Sequence, residues 1–501
     1  MSSLDPRTPV LVGAGQLSVR TEAGDVPSTL DLLAGAVRAA LADAGDAGPA
    51  LAARADAVAV VDLFSWPVPD PAAAVAATLG LTPRETVLSA RGGNGPVALL
   101  GALAADVLAG DLDVAIITGG EAMTPFMQAV KTGTETGWPT QPKGTAPTRI
   151  VGQDRDASHA VETAADLLAP IFYYPLFEQA LRREAGRTPE AHQEHLGRLW
   201  ARFAAVAADN PFAWTRDAPD ADAIAHPSPA NRQVSAPYTK LMNANIQVDQ
   251  AAALVLCSVQ AARDAGVPEE HWVYVTATAG AHDHWFVGER DRLDRSPAIA
   301  AVGAAALGHA GLEIGDIDHL DLYSCFPSAV QVAARELGVD LEDPARAPTV
   351  TGGLTFAGGP ANAYVVHSLA TLVGRLRGRT GEHGLATAVG WYLTKHGAAI
   401  LSSDPPARPF AAVDVQQEVD ALPRRELTAA PIGGAAVETY TAMYGHGGEP
   451  TMAIVSVLDA DGRRGLASTH DPATVEAFLL AGDPLERTVD LDGASGFTVA
   501  G

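Results

Sequence analysis

The sequence runs through one layout twice. Pro9–Gly15 (PVLVGAG) and Trp272–Gly280 (WVYVTATAG) are apolar runs closed by glycine, the pattern of a buried strand. Leu30–Ala44 and Ser296–Gly308 are Ala/Leu-rich at helical spacing, the second opened by Ser-Pro. Ala57–Phe64 and Ile317–Phe326 read as further strands. They break into related loops, Asp-Leu-Phe-Ser-Trp-Pro (Asp62–Pro67) and Asp-Leu-Tyr-Ser-Cys-Phe-Pro (Asp321–Pro327). Gly92–Pro96 and Gly352–Pro360 are glycine turns leading into the helices Val97–Leu108 and Ala363–Arg375. Val114–Gly119 and Leu385–Gly390 complete the series as strands. The five pairs share one order and an offset of roughly 260–270 residues, which marks a duplicated half rather than a short-period solenoid. Alternating strands and helices predict a layered α/β fold.

Other segments fall outside the repeat. Residues 131–160 are polar and rich in Gly, Thr and Pro, and two helical stretches follow, Ala157–Glu184 and Pro189–Asp209. Long insertions of this kind usually shape a substrate site. Ala251–Ser258 (AAALVLCS) returns to strand character. Near the end, Ala435–Tyr444 alternates, Asp461-Gly462 signals a hairpin, Pro472–Leu480 is helical and Arg487–Leu491 is a closing strand. The predicted organisation is a first half at 1–122 and 239–264, an insertion at 123–238 and a second half at 265–403. A linker at 404–430 and a small β-rich, open five-stranded barrel at 431–501 follow.

Composition narrows the function. A net charge of −25 argues against a nucleic-acid partner and an anionic membrane surface. It leaves room for a phosphate-bearing ligand, because helix-start amides bind phosphate without net positive charge. Two cysteines, Cys257 and Cys325, build neither a disulfide framework nor a cysteine zinc site, and fit a reducing compartment. No apolar run reaches the roughly 18 residues of a membrane span, and Met1–Arg7 lacks a signal-peptide shape. The expectation is a cytoplasmic protein with no membrane span and no metal site.

Several local motifs resemble those of the thiolase superfamily along roughly residues 8–403. Asn243–Ala253 (NANIQVDQAAA) resembles its Asn-Ala-Ser-x-x-x-Asp-Gly-Ala-Ala-Ala segment. Gly352–Pro360 (GGLTFAGGP) resembles Gly-Gly-x-x-x-x-Gly-His-Pro, and Val114–Met123 resembles the strand before the insertion. Tyr323–Phe326 stands where sterol-carrier-type thiolases carry His-Asp-Cys-Phe. The tail resembles the additional C-terminal domain of thiolase-like proteins often labelled acetyl-CoA acetyltransferase. The resemblance implies a five-layer α-β-α-β-α thiolase fold, acyltransferase activity, and an acyl-CoA or acyl-carrier thioester as partner. Coenzyme A then enters as part of a substrate, with no tightly bound cofactor, and the chain is a homodimer or a monomer.

The same alignment empties the family's catalytic set. Gly92 takes the place of the nucleophilic cysteine and Asn94 that of the serine in the Cys-x-Ser-Gly turn. A glycine cannot carry an acyl group. Gly359 replaces the histidine of Gly-His-Pro, and no cysteine stands near Ala388–Gly390. Two functions are therefore expected as alternatives: an acyl-thioester enzyme with a non-standard residue set, or a non-catalytic acyl-CoA or acyl-carrier binding protein. The candidate catalytic residues are Tyr323, Cys325, His367 and His396. The candidate substrate contacts are Gly92, Asn94, Gly95, Gly358, Gly359 and Asn362. Each has a structural alternative: Cys325 as a small buried thiol, the histidines as satisfied core groups, the glycines as tight turns. Lys131, Lys143, Arg149 and Arg155 are either phosphate contacts or a solvated loop.

Overall fold

The computed structural model describes residues 4–20, 27–480 and 482–500. The first three residues of the N-terminal segment considered above lie outside the described residues.

The first half is built of β1 (Pro9–Ser18), α1 (Thr29–Asp43), α2 (Gly48–Ala53), β2 (Ala57–Val60), α3 (Pro71–Leu79), β3 (Glu85–Ser89), α4 (Gly95–Ala109) and β4 (Val114–Ala122). The long excursion holds α5 (Met123–Thr132), β5 (Arg149–Val151), α6 (Ala160–Ala164), α7 (Pro170–Glu184), α8 (Pro189–Asp209), α9 (Ala221–Ala225), β6 (Gln233–Ser235) and β7 (Tyr238–Thr239). The chain then returns through β8 (Asp249–Ser258) and α10 (Val259–Ala265). The second half comprises β9 (Val273–His282), α11 (Pro297–Ala310), β10 (His319–Asp321), α12 (Pro327–Leu337), α13 (Gly353–Phe356), α14 (Tyr364–Leu376), β11 (His383–Gly390) and β12 (Lys395–Ser402).

Strand pairing makes the duplication visible. The first half is ordered β3-β2-β4-β8-β1 and the second β10-β11-β12-β9. The second order is the first without a counterpart of β3. β2 runs parallel to β3 and β4, and β8 is antiparallel between β4 and β1. Likewise β10 runs parallel to β11, and β12 is antiparallel between β11 and β9. The two sheets touch where Val10 and Leu11 pair with Tyr274 and Val273.

Period-two alternation splits the first sheet between two cores. Leu11, Ala57, Ala59, Ile117, Leu254 and Leu256 face one way and join the central core with α4 and α14. Val10, Val58, Val60, Ile116, Val255 and Cys257 face the other way, toward α1 and α3. α4 and α14 each touch both sheets, so they form the middle layer, and α11 packs outside the second sheet beside α12. The result is α-β-α-β-α. The approach is close: a Cβ on Gly101 of α4 would lie 2.5 Å from Thr278 Oγ1 on β9. Caps set the helix starts, as where Ser28 and Asp31 form a capping box on α1 and Ser296 accepts from Ile299 N–H on α11.

Three segments differ from expectation. The helical stretch Ala157–Glu184 is broken, because Asp166 takes a left-handed φ of 61° and Pro170 opens α7 at its first turn. The segment 404–430 is more than a linker: β13 (Ala411–Asp414) pairs with β9, α15 (Gln416–Asp420) follows, and β14 (Leu427–Thr428) pairs with β17 (Arg464–Thr469) of the tail. The excursion 123–238 is stitched to both neighbours, since β5 pairs with the outer edge of β3 and β6 with β15 (Ile432–Tyr444).

The tail continues from β15 through β16 (Pro450–Leu458), β17, α16 (Pro472–Leu480), β18 (Thr488–Leu491) and β19 (Phe497–Val499). Its order β17-β16-β15-β18-β19, with a bridge from Ser468 to Gly496, curls five strands into a ring. Val437, Val455, Val457, Phe478 and Val489 fill it. Asp461 and Gly462 make the β16–β17 turn. Arg182 grips Asp483 with two hydrogen bonds of 2.6 and 2.7 Å. The fully buried Arg464 grips Glu438 at 2.7 Å and also donates to Gly288 O. Charges buried this deeply persist only when fully paired, so the contact fixes the geometry between barrel and body. Among the described residues no helix is long and apolar enough to cross a membrane.

A candidate active site at the first glycine turn

The turn Gly92–Gly93–Asn94 leads directly into α4, which no side chain caps; Gly95 N–H donates to Gly92 O at 2.9 Å. Gly92 has φ 133°, and a Cβ there would stand 2.8 Å from Asn94 Oδ1, 2.9 Å from Lys395 Cε and 3.1 Å from Lys395 Nζ. An amine therefore occupies the space where the resemblance puts a thiol. Lys395 opens β12, is 6% exposed, and donates from Nζ to Arg91 O and to Gln153 O, the latter at 3.2 Å. The indoles of Trp285 and Trp391 each lie 5.9 Å from Nζ. Burial lowers the pKa of Lys395, opposed by Asp154 and Asp62 and aided by Arg91. Gly390 completes the wall, since a Cβ there would meet Asn94 Oδ1 at 2.5 Å and Lys395 Cε at 3.0 Å.

Tyr323 reaches the same turn from the loop after β10. A Cβ on Gly93 would collide with its hydroxyl. Thr387 Oγ1 accepts its N–H at 2.8 Å, and Tyr364 meets its ring edge-on at 5.6 Å. Burial, then the neighbouring Cys325, raises its pKa, so the phenol stays protonated. Cys325 is 8% exposed, and burial pushes its thiol up to about 12 in spite of the adjacent Tyr174 hydroxyl. That is the opposite of a thiolate nucleophile.

The two histidines do not join this turn. His396 follows Lys395 on β12, and successive strand residues face opposite ways. Its Nε2 sits 3.1 Å from Asp283 Oδ2 and 3.4 Å from Ser296 Oγ, at the start of α11. Burial acts to raise the Asp283 carboxyl, but His396, Arg290 and Ser296 bring it below its usual value. His367 lies on α14 beside Gln16, with Nδ1 3.1 Å from its Oε1, and burial lowers its pKa to about 3. It is a neutral imidazole facing β1. Strand alternation turns His396 away from the first glycine turn, and His367 points from α14 to β1, so neither candidate joins Tyr323 there.

The glycine and asparagine candidates divide as well. Asn94 Oδ1 is buried without a partner. Asn362 Nδ2 donates to the backbone and side chain of Asp62, each at 3.1 Å, so the two asparagines do not present a pair of amides to one carbonyl. Gly95 packs on Ser89, a Cβ there standing 2.7 Å from Oγ. Gly358, at φ 110°, leaves no room for a Cβ beside Gln250. Gly359 is less confined, and its N–H donates to Asn245 O at 2.9 Å. Of the basic residues in the excursion, Arg149 pairs with Asp106 at 2.6 Å and Arg155 lies 4.2 Å over Trp285. Lys131 and Lys143 are exposed.

Sequence reasoning missed Lys395. A signal was present in its rarity: the chain holds four lysines among 34 Lys and Arg residues.

Comparison with known proteins agrees with this architecture. Residues 414–490 match the family model described as the thiolase-like protein type 1 additional C-terminal domain. No curated protein sequence matches the chain. The monomeric SCP2-thiolase like protein type 1 from Mycobacterium smegmatis is 31% identical over 99% of both chains, with a TM-score of 0.85. The dimeric peroxisomal thiolase of Saccharomyces cerevisiae matches 80% of this chain and 98% of its own at 14% identity and a TM-score of 0.58. An Ltp2-ChsH2(DUF35) aldolase matches 80% and 100% at 21% identity and a TM-score of 0.59. These last two speak for fold alone, and the fold is that of a thiolase with an additional C-terminal domain. Within that class the chain belongs to the SCP2-thiolase-like proteins of type 1.

Proposed function

We propose that the protein binds an acyl thioester, of coenzyme A or an acyl carrier, beside the first glycine turn and handles it without a cysteinyl intermediate. The observation that carries this is the exchange at Gly92, where Lys395 Nζ fills the space of the missing side chain. Both thiols of the chain are buried and pushed toward the neutral form, Cys257 on the far side of the first sheet and Cys325 to about 12. Acyl transfer through a cysteine, as in an acetyl-CoA acetyltransferase, has no group to run on. The thioester is a substrate here, and no resident cofactor is invoked.

A purely binding role is the second reading, favoured by one observation. The Gly359 amide, at the position of the family's histidine, is already spent on Asn245 O. We further propose that the chain is a monomer, because β5 covers the outer edge of β3 that another copy would otherwise extend.

Calorimetry with an acyl-CoA panel, followed by intact mass, tests the proposal. The expected result is binding, no thioester adduct, and the same affinity in Cys325→Ala. Failure of every acyl-CoA to bind overturns it, and an adduct lost in Cys325→Ala overturns the non-cysteine part.

A further inference from the structure

Lys131, Lys143 and Lys240 are exposed; Lys395 is the one buried lysine of the four in the chain. Every other buried cation is an arginine, among them Arg182, Arg290 and Arg464. Each of these has carboxylate or carbonyl partners suited to a permanent charge. Arginine stays protonated in proteins, whereas a buried lysine gives up its proton readily and its amine is then a nucleophile. A chain that uses arginine almost throughout has a titratable amine at the position left by Gly92.

The hydrogen-bond partners of Nζ accommodate a neutral amine. Such a nitrogen has two hydrogens and one lone pair. Arg91 O and Gln153 O accept two hydrogens, and among the described residues no other group bonds to Nζ. Burial and the nearby Arg91 guanidinium oppose the ammonium form; Asp154, Asp62 and the ring faces of Trp285 and Trp391 favour it. Asn94 Oδ1, buried and without a partner, stands on the same small space. Tyr323, a phenol held protonated, touches the next residue of the turn.

We propose that Lys395 forms a reversible imine with a ketone or aldehyde carbonyl of a ligand held against the first glycine turn. The lone pair of Nζ attacks the carbonyl carbon, and the C=O π pair moves to oxygen, which takes a proton. Both protons come from Nζ: the first gives the carbinolamine its hydroxyl, and the second leaves with that hydroxyl as water while the nitrogen lone pair forms C=N. No oxidant or reductant is consumed. The choice of ligand rests on the thioester reading above, and makes it a 3-oxoacyl thioester, whose ketone is distinct from its thioester carbonyl.

The test is reductive trapping on the full chain. Wild type, Lys395→Arg and Lys395→Met are incubated with acetoacetyl-coenzyme A and cyanoborohydride, then analysed by intact mass and peptide mapping. A parallel series uses propionaldehyde, which needs no coenzyme A site. The expected result is a single secondary-amine adduct on Lys395 in both series, and none at that position in either variant. Circular dichroism confirms folding, and Lys395→Arg keeps the charge, so its loss of trapping isolates the amine. No adduct on wild type, or labelling spread evenly over Lys131, Lys143 and Lys240, overturns the inference. Trapping of propionaldehyde at Lys395 without binding of acetoacetyl-coenzyme A upholds the amine chemistry and rejects the thioester. Binding of acetoacetyl-coenzyme A without an adduct in either series does the reverse.

Discussion

The two glycine turns of the duplicated halves have kept their glycines for different reasons. In the second, packing forbids anything larger at three of the glycines. A Cβ on Gly352 would strike Ala207, one on Gly353 would stand 2.6 Å from Phe203 Cδ1 and Ser324 Oγ, and one on Gly358 would enter Gln250. All three residues also hold positive φ. In the first turn, Gly93 is packed against Tyr323 and Val389 O, but Gly92 borders only side-chain ends, Asn94 Oδ1 and Lys395. A packed turn is a scaffold; a position closed by a movable amine and an unpartnered amide oxygen is a place where chemistry is available. Matching motifs in a duplicated sequence thus do not imply matching roles.

The sharpest break of this comparison is Gly358→Ala. It combines left-handed strain with a collision against a side chain that is itself anchored, Gln250 bonding Ser18 Oγ at 2.8 Å and Ala357 O at 2.9 Å. A loss of about 3 kcal/mol is expected, from strain and overpacking together, measured by urea unfolding. Gly92→Ala comes next. Its φ of 133° carries similar strain, but Lys395 is able to swing aside, so about 1–2 kcal/mol is expected. Equal costs at the two positions would show that the first turn is as rigid as the second.

A smaller effect separates the turns by pH. Lys395 has a folded pKa below its ordinary 10.5. Between those two values the unfolded chain binds more protons than the native one, so stability gains with rising pH. Asp62, Asp154 and Arg91 set the local field, and all are retained in Lys395→Met. The stability of wild type relative to Lys395→Met is therefore expected to increase as pH climbs toward 10.5. Paired urea melts at neutral and alkaline pH measure it, and a flat difference would mean that the amine keeps its ordinary pKa.

What was legible in the sequence follows from range. The duplicated strands and helices, the capped start of α11 at Ser296 and the turn at Asp461-Gly462 rest on neighbours within a few residues. The pairings of β13 with β9 and of β5 with β3 do not, and a linker and a loop were expected in their places. The candidate site shows the same limit. Tyr323 is legible through the local motif Tyr323–Phe326, which stands where the resemblance puts His-Asp-Cys-Phe. Lys395 bonds a carbonyl 304 residues away at Arg91, which no local pattern reveals. His396, the candidate, is next to Lys395 in the chain, but adjacency on a strand sends the two side chains to opposite faces.

Gly359 is the position where the two turns should differ least in cost and most in meaning. It stands where relatives by resemblance carry histidine. Its φ is not among the positive ones, and the nearest atoms to a Cβ are Asn245 O, Leu354 Cβ and Leu354 Cδ2, each at 3.4 Å. That is the edge of ordinary contact. Alanine at a compatible backbone also restricts the unfolded chain, a gain of about 0.4–1 kcal/mol that offsets slight crowding. Gly359→Ala is therefore expected to leave stability within about 0.5 kcal/mol of wild type, one residue from a costly substitution in the same turn. Urea unfolding of the two variants side by side decides it. If Gly359→Ala costs as much as Gly358→Ala, the whole second turn is locked by packing. If it is neutral, the backbone has room for a side chain there, and packing is not what keeps a glycine at this position.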